Sequence, residues 1–271
     1  MTGRDTLPGV GLLLLKLSLT PILIGGASLA ARRWGPSVGG WIVALPLTTG
    51  PVALYIALDQ GNAFAAGAAK GSIAGLLGDA TFALAYGWVA CRAGWRLSAT
   101  CGLAAFAAAA LLMQPVLPAP SVVVFATVAV GMVACLWLAP PTRATGTAAP
   151  APAWDIPARM VVGTAIVLAI TAAAGILGPS LSGLLAAAPV YVSVLAIFAH
   201  RLEGPEPAMR VVRGLQVGLF GTIVFFLVIN ATIEQLGIGV AFGAGLLAVV
   251  LVQTFSLRLL RRPVDAAVSS P

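Results

Sequence analysis

Apolar residues in this chain gather into nine long runs, with polar and charged positions confined mainly to the joints between them. The runs cover roughly 9–31, 38–58, 70–90, 96–114, 121–139, 160–177, 182–200, 211–231 and 236–256. Most approach the ~20 residues that a helix needs to cross the hydrocarbon core of a bilayer. The runs are continuous rather than alternating, which argues against a β-barrel. The pattern predicts an all-α polytopic membrane protein with nine transmembrane helices. The first run ends in Ser28-Leu29-Ala30, a small-x-small sequence like that of a cleavage site. However, Lys16 interrupts it and only Arg4 precedes it as a basic flank, so it is expected to remain in the mature chain.

A duplication organises these runs. Residues 35–84 align without a gap on 178–227, at a constant offset of 143, with 15 identities in 50 positions. Chance in a chain of this composition gives roughly a tenth. Shared positions include Gly35-Pro36-Ser37 with Gly178-Pro179-Ser180, Pro46 with Pro189, Gly61 with Gly204, and Lys70-Gly71 with Arg213-Gly214. Ala30-Ala31 also match Ala173-Ala174, which ties the first run to the repeat. Each copy holds four spans and the fifth has no counterpart. A single helix between two four-helix units turns the second unit over, so the expected arrangement is 4+1+4 inverted repeats. Residues 1–114 form the first repeat and 115–139 the inverting helix. A Pro/Ala-rich linker follows at 140–158, then the second repeat at 159–257 and a basic tail at 258–271. Such inverted repeats recur among secondary transporters.

Composition sharpens this picture. Charged residues make up 8% of the chain and hydrophobic ones 60%, against about 25% charged in soluble domains. The net charge of +7 comes largely from arginines at span ends, so it is not a nucleic-acid footprint. Twelve basic residues, from Arg32 and Arg33 through Arg258, Arg261 and Arg262, fall on one side of the predicted topology, against Arg4 and Lys70 on the other. The positive-inside rule puts the twelve in the cytoplasm, with the N-terminus outside and the C-terminus inside. Cys91, Cys101 and Cys135 lie in or beside apolar spans with no CxxC spacing and read as small hydrophobes. Trp34, Trp41, Trp88 and Trp95 lie near span ends and read as interfacial anchors.

Candidate chemistry centres on two prolines. The second span carries Leu45-Pro46-Leu47-Thr48-Thr49-Gly50-Pro51 and the seventh Pro189-Val190-Tyr191-Val192-Ser193. Proline removes a backbone donor, so each helix should kink or unwind near mid-membrane. Freed backbone is tolerated there only where protein or a cavity covers it. Interrupted helices at matching places in two halves point to a substrate site, here Pro46, Thr48, Thr49, Pro51, Pro189, Tyr191 and Ser193. Packing kinks are the plainer alternative. Asp79 is the acid placed near the middle of a span, where a charge costs at least ~2.5 kcal/mol. It either loads and releases a proton or rests in a static ion pair with Lys16. Lys70 with Asp59 on the outer side, and Arg210 and Arg213 with Glu203 and Glu206 on the inner, are either gate pairs or ordinary interfacial ion pairs. Glycines 71, 75 and 78, with 214, 218 and 221, form ridges for close helix packing. Gly35-Pro36-Ser37-Val38-Gly39 spells G-x-S-x-G, yet no strand precedes it, and Ser37 and Ser180 read instead as helix N-caps. His200 is the chain's one histidine, and no HExxH or paired carboxylates occur. An enzyme is therefore not expected, nor a metal or other cofactor.

Gly183 to Pro189, Ala199-His200 and Ala208-Met209-Arg210 resemble the small GlpM-type bacterial inner-membrane proteins, of which this chain would be a fused duplicate. The four-helix unit with inversion also resembles the plan of the drug/metabolite transporters. These resemblances imply a bacterial inner membrane and a link to envelope or polysaccharide export. The expectation is a secondary transporter or flippase for a small or lipid-linked solute, with Asp79 and Lys16 as the proton-coupling pair. The alternative is a non-transporting membrane subunit of an envelope-polysaccharide complex. The lipid bilayer is the partner expected on either reading, and nucleic acid on neither.

Overall fold

The computed structural model describes residues 7–47, 49–142, 152–186 and 188–261, with side chains throughout except at 7–16, 59, 171, 173–186 and 257–261. Among the described residues the chain is all-helical. The helices are α1 (Leu7–Trp34), α2 (Pro36–Val43), α3 (Thr49–Gln60), α4 (Asn62–Ala90), α5 (Trp95–Met113), α6 (Ser121–Trp137), α7 (Asp155–Ala186), α8 (Val190–Glu203) and α9 (Pro205–Arg261). A 3₁₀ turn, Gln114–Val116, extends α5. Helix α9 is two limbs, 205–236 and 238–261, meeting at Gly237 with φ 76°. Among the described residues three helices are long and apolar enough to cross a membrane: Asn62–Ala90, Trp95–Val116 and Pro205–Ser256.

The expected spans fall on these helices unevenly. The second span divides into α2 and α3, and the eighth and ninth are the limbs of α9. The sixth span and the start of the seventh merge in α7, whose backbone stays helical through Gly178, Pro179 and Ser180. The Ser180 N-cap expectation is therefore wrong. In the first copy Gly35 does break the chain, with φ 98°, but Gly35 itself holds the N-cap position and Ser37 lies inside α2. Pro36 supplies the preset φ of the first helical turn. Helix α7 begins at Asp155, within the stretch read as linker.

Glycine punctuation recurs at the repeat offset. Gly61 (φ 86°) opens α4 and Gly204 (φ 98°) opens α9, 143 residues apart. Gly94 opens α5 and Gly237 opens the second limb of α9, at the same offset. Beyond the aligned stretch, one packing contact is also made twice. A methyl on Gly102 would lie 2.8 Å from Phe82 Cδ2, and one on Gly245 3.0 Å from Phe225 Cδ2. Both rings are buried, each filling a notch that only glycine leaves open.

The core gathers around α4 and the first limb of α9. Asn62 Nδ2 donates to Ile233 O (3.0 Å), Asn230 Nδ2 to Ala66 O (2.9 Å), and Gln216 Nε2 to Ala80 O (3.4 Å). Residue numbers rise along one helix as they fall along the other, so the two run antiparallel. Helix α2 runs parallel to the same limb: Ser37 meets Gly214, Trp41 meets Gly218, and the Thr222 hydroxyl donates to Ala44 O. The approach there is backbone to backbone. A methyl on Gly40 would fall 2.8 Å from Val211 C, and one on Gly214 2.7 Å from Ser37 C. Gly71, the repeat partner of Gly214, meets nothing within 4 Å, so the ridge expected on both helices closes a contact at that position in the second copy alone.

Candidate functional site

Each proline breaks its helix in the same way. Around Pro46 the chain leaves α2 after Val43 and re-enters helix at Thr49, with Leu47 N donating to Leu45 O at 2.7 Å. At Pro189 (φ −76°, ψ 57°) Val190 N donates to Ala188 O at 2.8 Å. Residues 45 and 47 plus the repeat offset are 188 and 190. The same three-residue turn is therefore written at both prolines, the geometry of an inverse γ-turn. Both prolines are buried. Just before the break at Pro46, Ala44 O accepts a hydrogen bond from Thr222 Oγ1.

A small cleft of about 10 Å³ lies against the first break, lined by Leu23, Ile42, Val43, Leu45, Leu47 and Tyr191. That is about the space of one water, and the Tyr191 hydroxyl is its one polar side-chain group. The hydroxyl pairs with Thr20 Oγ1 at 3.1 Å. Of the residues expected to form a site, the structure brings Tyr191 to the walls beside Pro46. Ser193 turns back on its own helix, donating to Pro189 O at 2.6 Å. Thr49 and Pro51 are exposed on α3 and do not line this cleft. Thr48 lies outside the described residues.

Asp79 sits on α4 with Oδ1 buried and no hydrogen-bond partner. Seven residues on, and so on the same helix face, Tyr86 pairs its hydroxyl with His200 Nδ1 at 3.2 Å. The Lys16 side chain, the other half of the expected pair, lies outside the described residues. Its repeat position is Arg159, which sequence reading passed over and which anchors a charge cluster joining three helix ends. Arg159 Nε donates to Asp155 Oδ1 at 2.7 Å, Arg32 to Asp155 Oδ2 at 3.1 Å, and the Arg159 guanidinium lies 3.9 Å from Glu203 Oε1. The Asp155 side chain is 1% exposed and that of Arg159 5%. Burial pushes the Glu203 carboxyl above its ordinary range, against the opposing pull of Arg159. The i, i+4 spacing of Asp155 and Arg159 was the available signal, hidden because Asp155 read as linker.

Lys70 Nζ donates to Ala119 O, and Glu203 meets Arg159 from α7. Trp41 Nε1 donates to Ser256 Oγ at 2.9 Å, within a buried network that includes Gln253 Nε2 to Gly218 O at 2.7 Å. Trp88 is exposed and donates to Leu138 O. Among the described residues no group of three or more His, Cys, Asp or Glu side chains converges on a metal-sized site. No family model, curated protein or solved structure matches the chain.

Proposed function

We propose that this chain is a secondary transporter or flippase of the bacterial inner membrane. It would move a small or lipid-linked solute between two four-span units inverted about the fifth span. In this reading the N-terminus lies outside and the C-terminus in the cytoplasm. The observation that carries it is the pair of identical turns at Pro46 and Pro189. Two helices broken at equivalent mid-span positions expose backbone only where protein or a passage covers it. The antiparallel course of α4 and the first limb of α9 is what inversion requires of repeat-related helices. Substrate would pass between the breaks, past Tyr191, with Asp79 as the proton-coupling group and Lys16 as its resting partner. The structure is then a closed state, since the cleft admits about one water.

A cysteine at position 191 tests this without knowing the substrate. In a Cys91, Cys101, Cys135→Ser background, Tyr191→Cys in vesicles should react with a membrane-impermeant methanethiosulfonate from either side. Labelling from neither side favours the rival reading, a non-transporting membrane subunit of an envelope or polysaccharide complex. The apolar, water-sized cleft is the observation on that rival's side.

A further inference from the structure

Helix α7 corresponds to the first copy's α1 and α2 joined end to end. It closes at Ala186, and 186 − 143 = 43 is where α2 closes. The copies differ at the joint between. In the first, Gly35 (φ 98°) bends the chain and Pro36 starts a new helix, whereas α7 runs helical through Gly178 and Pro179. The bent form suits both residues, with glycine at positive φ and proline in a first turn, where no amide is required. The straight form suits neither. Glycine and proline are the two poorest residues for a helix interior, and proline gives it no amide. The second copy therefore carries a hinge that this structure leaves unbent.

The surface that a bent second copy would meet is also in place. Helix α2 lies on the first limb of α9 through Gly40, Gly214 and Gly218, which leave room for the facing backbone of Val211, Ser37 and Trp41. The aligned positions are 183, 71 and 75, and all three are glycine. Yet Gly71 is exposed and meets nothing within 4 Å. Among the described residues α7 packs along α1 and α8 rather than along α4. A glycine inside a helix with nothing pressed against it only weakens that helix. At Gly71, then, α4 keeps a close-approach surface and lacks the helix that would use it.

We infer that the two Gly-Pro joints are hinges that bend in alternation. In the state described, the joint at 35–36 is bent and α2 lies on α9, while the joint at 178–179 is straight. In the other state 178–179 bends, and residues 179–186 lie on α4 over Gly71 and Gly75. Gly35 then straightens, α2 continues α1, and Gly214 is uncovered. Each state is the other with the two copies exchanged. The inference rests on the inverted-repeat transport reading, and it supplies that reading with its moving segments and the surface on which the second one lands.

Disulfide cross-linking in the full chain tests this in vesicles, with Cys91, Cys101 and Cys135 replaced by Ser. Ser37→Cys with Gly214→Cys reports the contact described. Gly71→Cys with Ser180→Cys occupies the aligned positions and reports the other state. Gly67→Cys with Ser180→Cys lies about one turn away on α4, where Gly67 also meets nothing within 4 Å, and gives the rate of random encounter. Copper-phenanthroline is the oxidant, and mass spectrometry of the linked peptides is the readout. The 71/180 pair should link well above the random rate. Gly178→Ala with Pro179→Ala favours the straight form by on the order of 1000-fold, so in that background 71/180 linking should fall to the random rate. The 37/214 link should persist there, which shows that the variant folds. A 71/180 pair that links no faster than 67/180, beside an intact 37/214 link, overturns the alternating hinges. So does 71/180 linking that the double alanine leaves unchanged. Absence of the 37/214 link in the parent background removes the contact from which the landing surface is inferred, and overturns the proposal as well. Labelling of Tyr191→Cys from both sides without a 71/180 link keeps the transport reading and ends the hinges, and the link without the labelling does the reverse.

Discussion

Replacing Gly214 by alanine would place a methyl carbon 2.7 Å from the carbonyl carbon of Ser37 and 2.9 Å from its Cα. Ordinary van der Waals contact begins near 3.4 Å, so α2 and α9 must separate by at least 3.4 − 2.7 = 0.7 Å at that point. The obstructing atoms are backbone, and no rotamer change relieves them. A gap of 0.5–1 Å already forfeits about a quarter to a half of each dispersion contact. The same interface holds Gly40 and Gly218, which lose their contacts together with Gly214. Overpacking of this kind costs roughly 1–3 kcal/mol, and the rigid obstacle puts Gly214→Ala at the upper end. Gly71, the repeat partner, faces open space, so Gly71→Ala should be neutral or stabilising by up to ~1 kcal/mol through helix propensity. Two repeat-related substitutions of identical chemistry should thus differ by about 2–4 kcal/mol. Unfolding by SDS titration in mixed micelles, followed by far-UV circular dichroism, measures the difference. Equal effects at the two positions would refute the packing described for α2.

Asp155→Asn should destabilise by about 3–5 kcal/mol, because it leaves Arg159 buried beside one distant carboxylate. Asp155→Leu with Arg159→Met should recover much of that loss in the same unfolding assay. Thr222→Val leaves Ala44 O without its donor, and should cost about 1–3 kcal/mol with a rise in amide exchange over residues 44–47. Phe82→Ala and Phe225→Ala should each cost roughly 3–5 kcal/mol, and closely similar amounts, since each ring fills the same glycine notch. The raised Glu203 carboxyl binds its proton more tightly in the folded chain. Its contribution is therefore present at low pH and falls as pH climbs above the ordinary value of 4.5. Glu203→Gln should flatten that part of the melting-temperature profile, and an unaltered profile would count against the assignment.

The breaks at Pro46 and Pro189 could be read in advance because proline has no amide to give, whatever packs around it. Glycines at 61 and 204 were equally legible as shared positions, since their positive φ is a demand of the local chain. The same reasoning failed at 178–180, where the sequence that turns at 35–37 continues as helix. The match between Gly102 and Gly245 was invisible in alignment because flanking residues diverge, and only the contact with Phe82 and Phe225 shows it. Thr222 stands where Asp79 stands in the other copy, which by itself gives it no role. Its importance comes from Ala44, 178 residues earlier. The charge cluster was missed because Arg32, Asp155 and Glu203 meet only once α1, α7 and α8 bring their ends together.

The two copies differ in their charges as well as in their packing. The cation persists at the first helix of each, as Lys16 and Arg159, but the acids beside Arg159 do not. Asp155 and Glu203 stand opposite Leu12 and Gln60. The buried ion pairs around Arg159 therefore have no acidic counterpart at the aligned positions of the first copy. The aligned residues differ likewise, since Asp79 stands where the second copy has Thr222, which donates to Ala44 O. A perfectly duplicated protein would hold its two faces at equal energy and have no preferred state. Replacing a neutral donor by an acid, and neutral residues by carboxylates, biases the pair at only a few positions. On that logic Asp79→Thr should remove the pH dependence that Asp79 gives to whichever face is open. Labelling Tyr191→Cys from each side at two pH values measures that: the two-sided ratio should become independent of pH in the variant. A ratio that shifts with pH as strongly as before would place the bias elsewhere, with the Glu203 cluster the next group to neutralise.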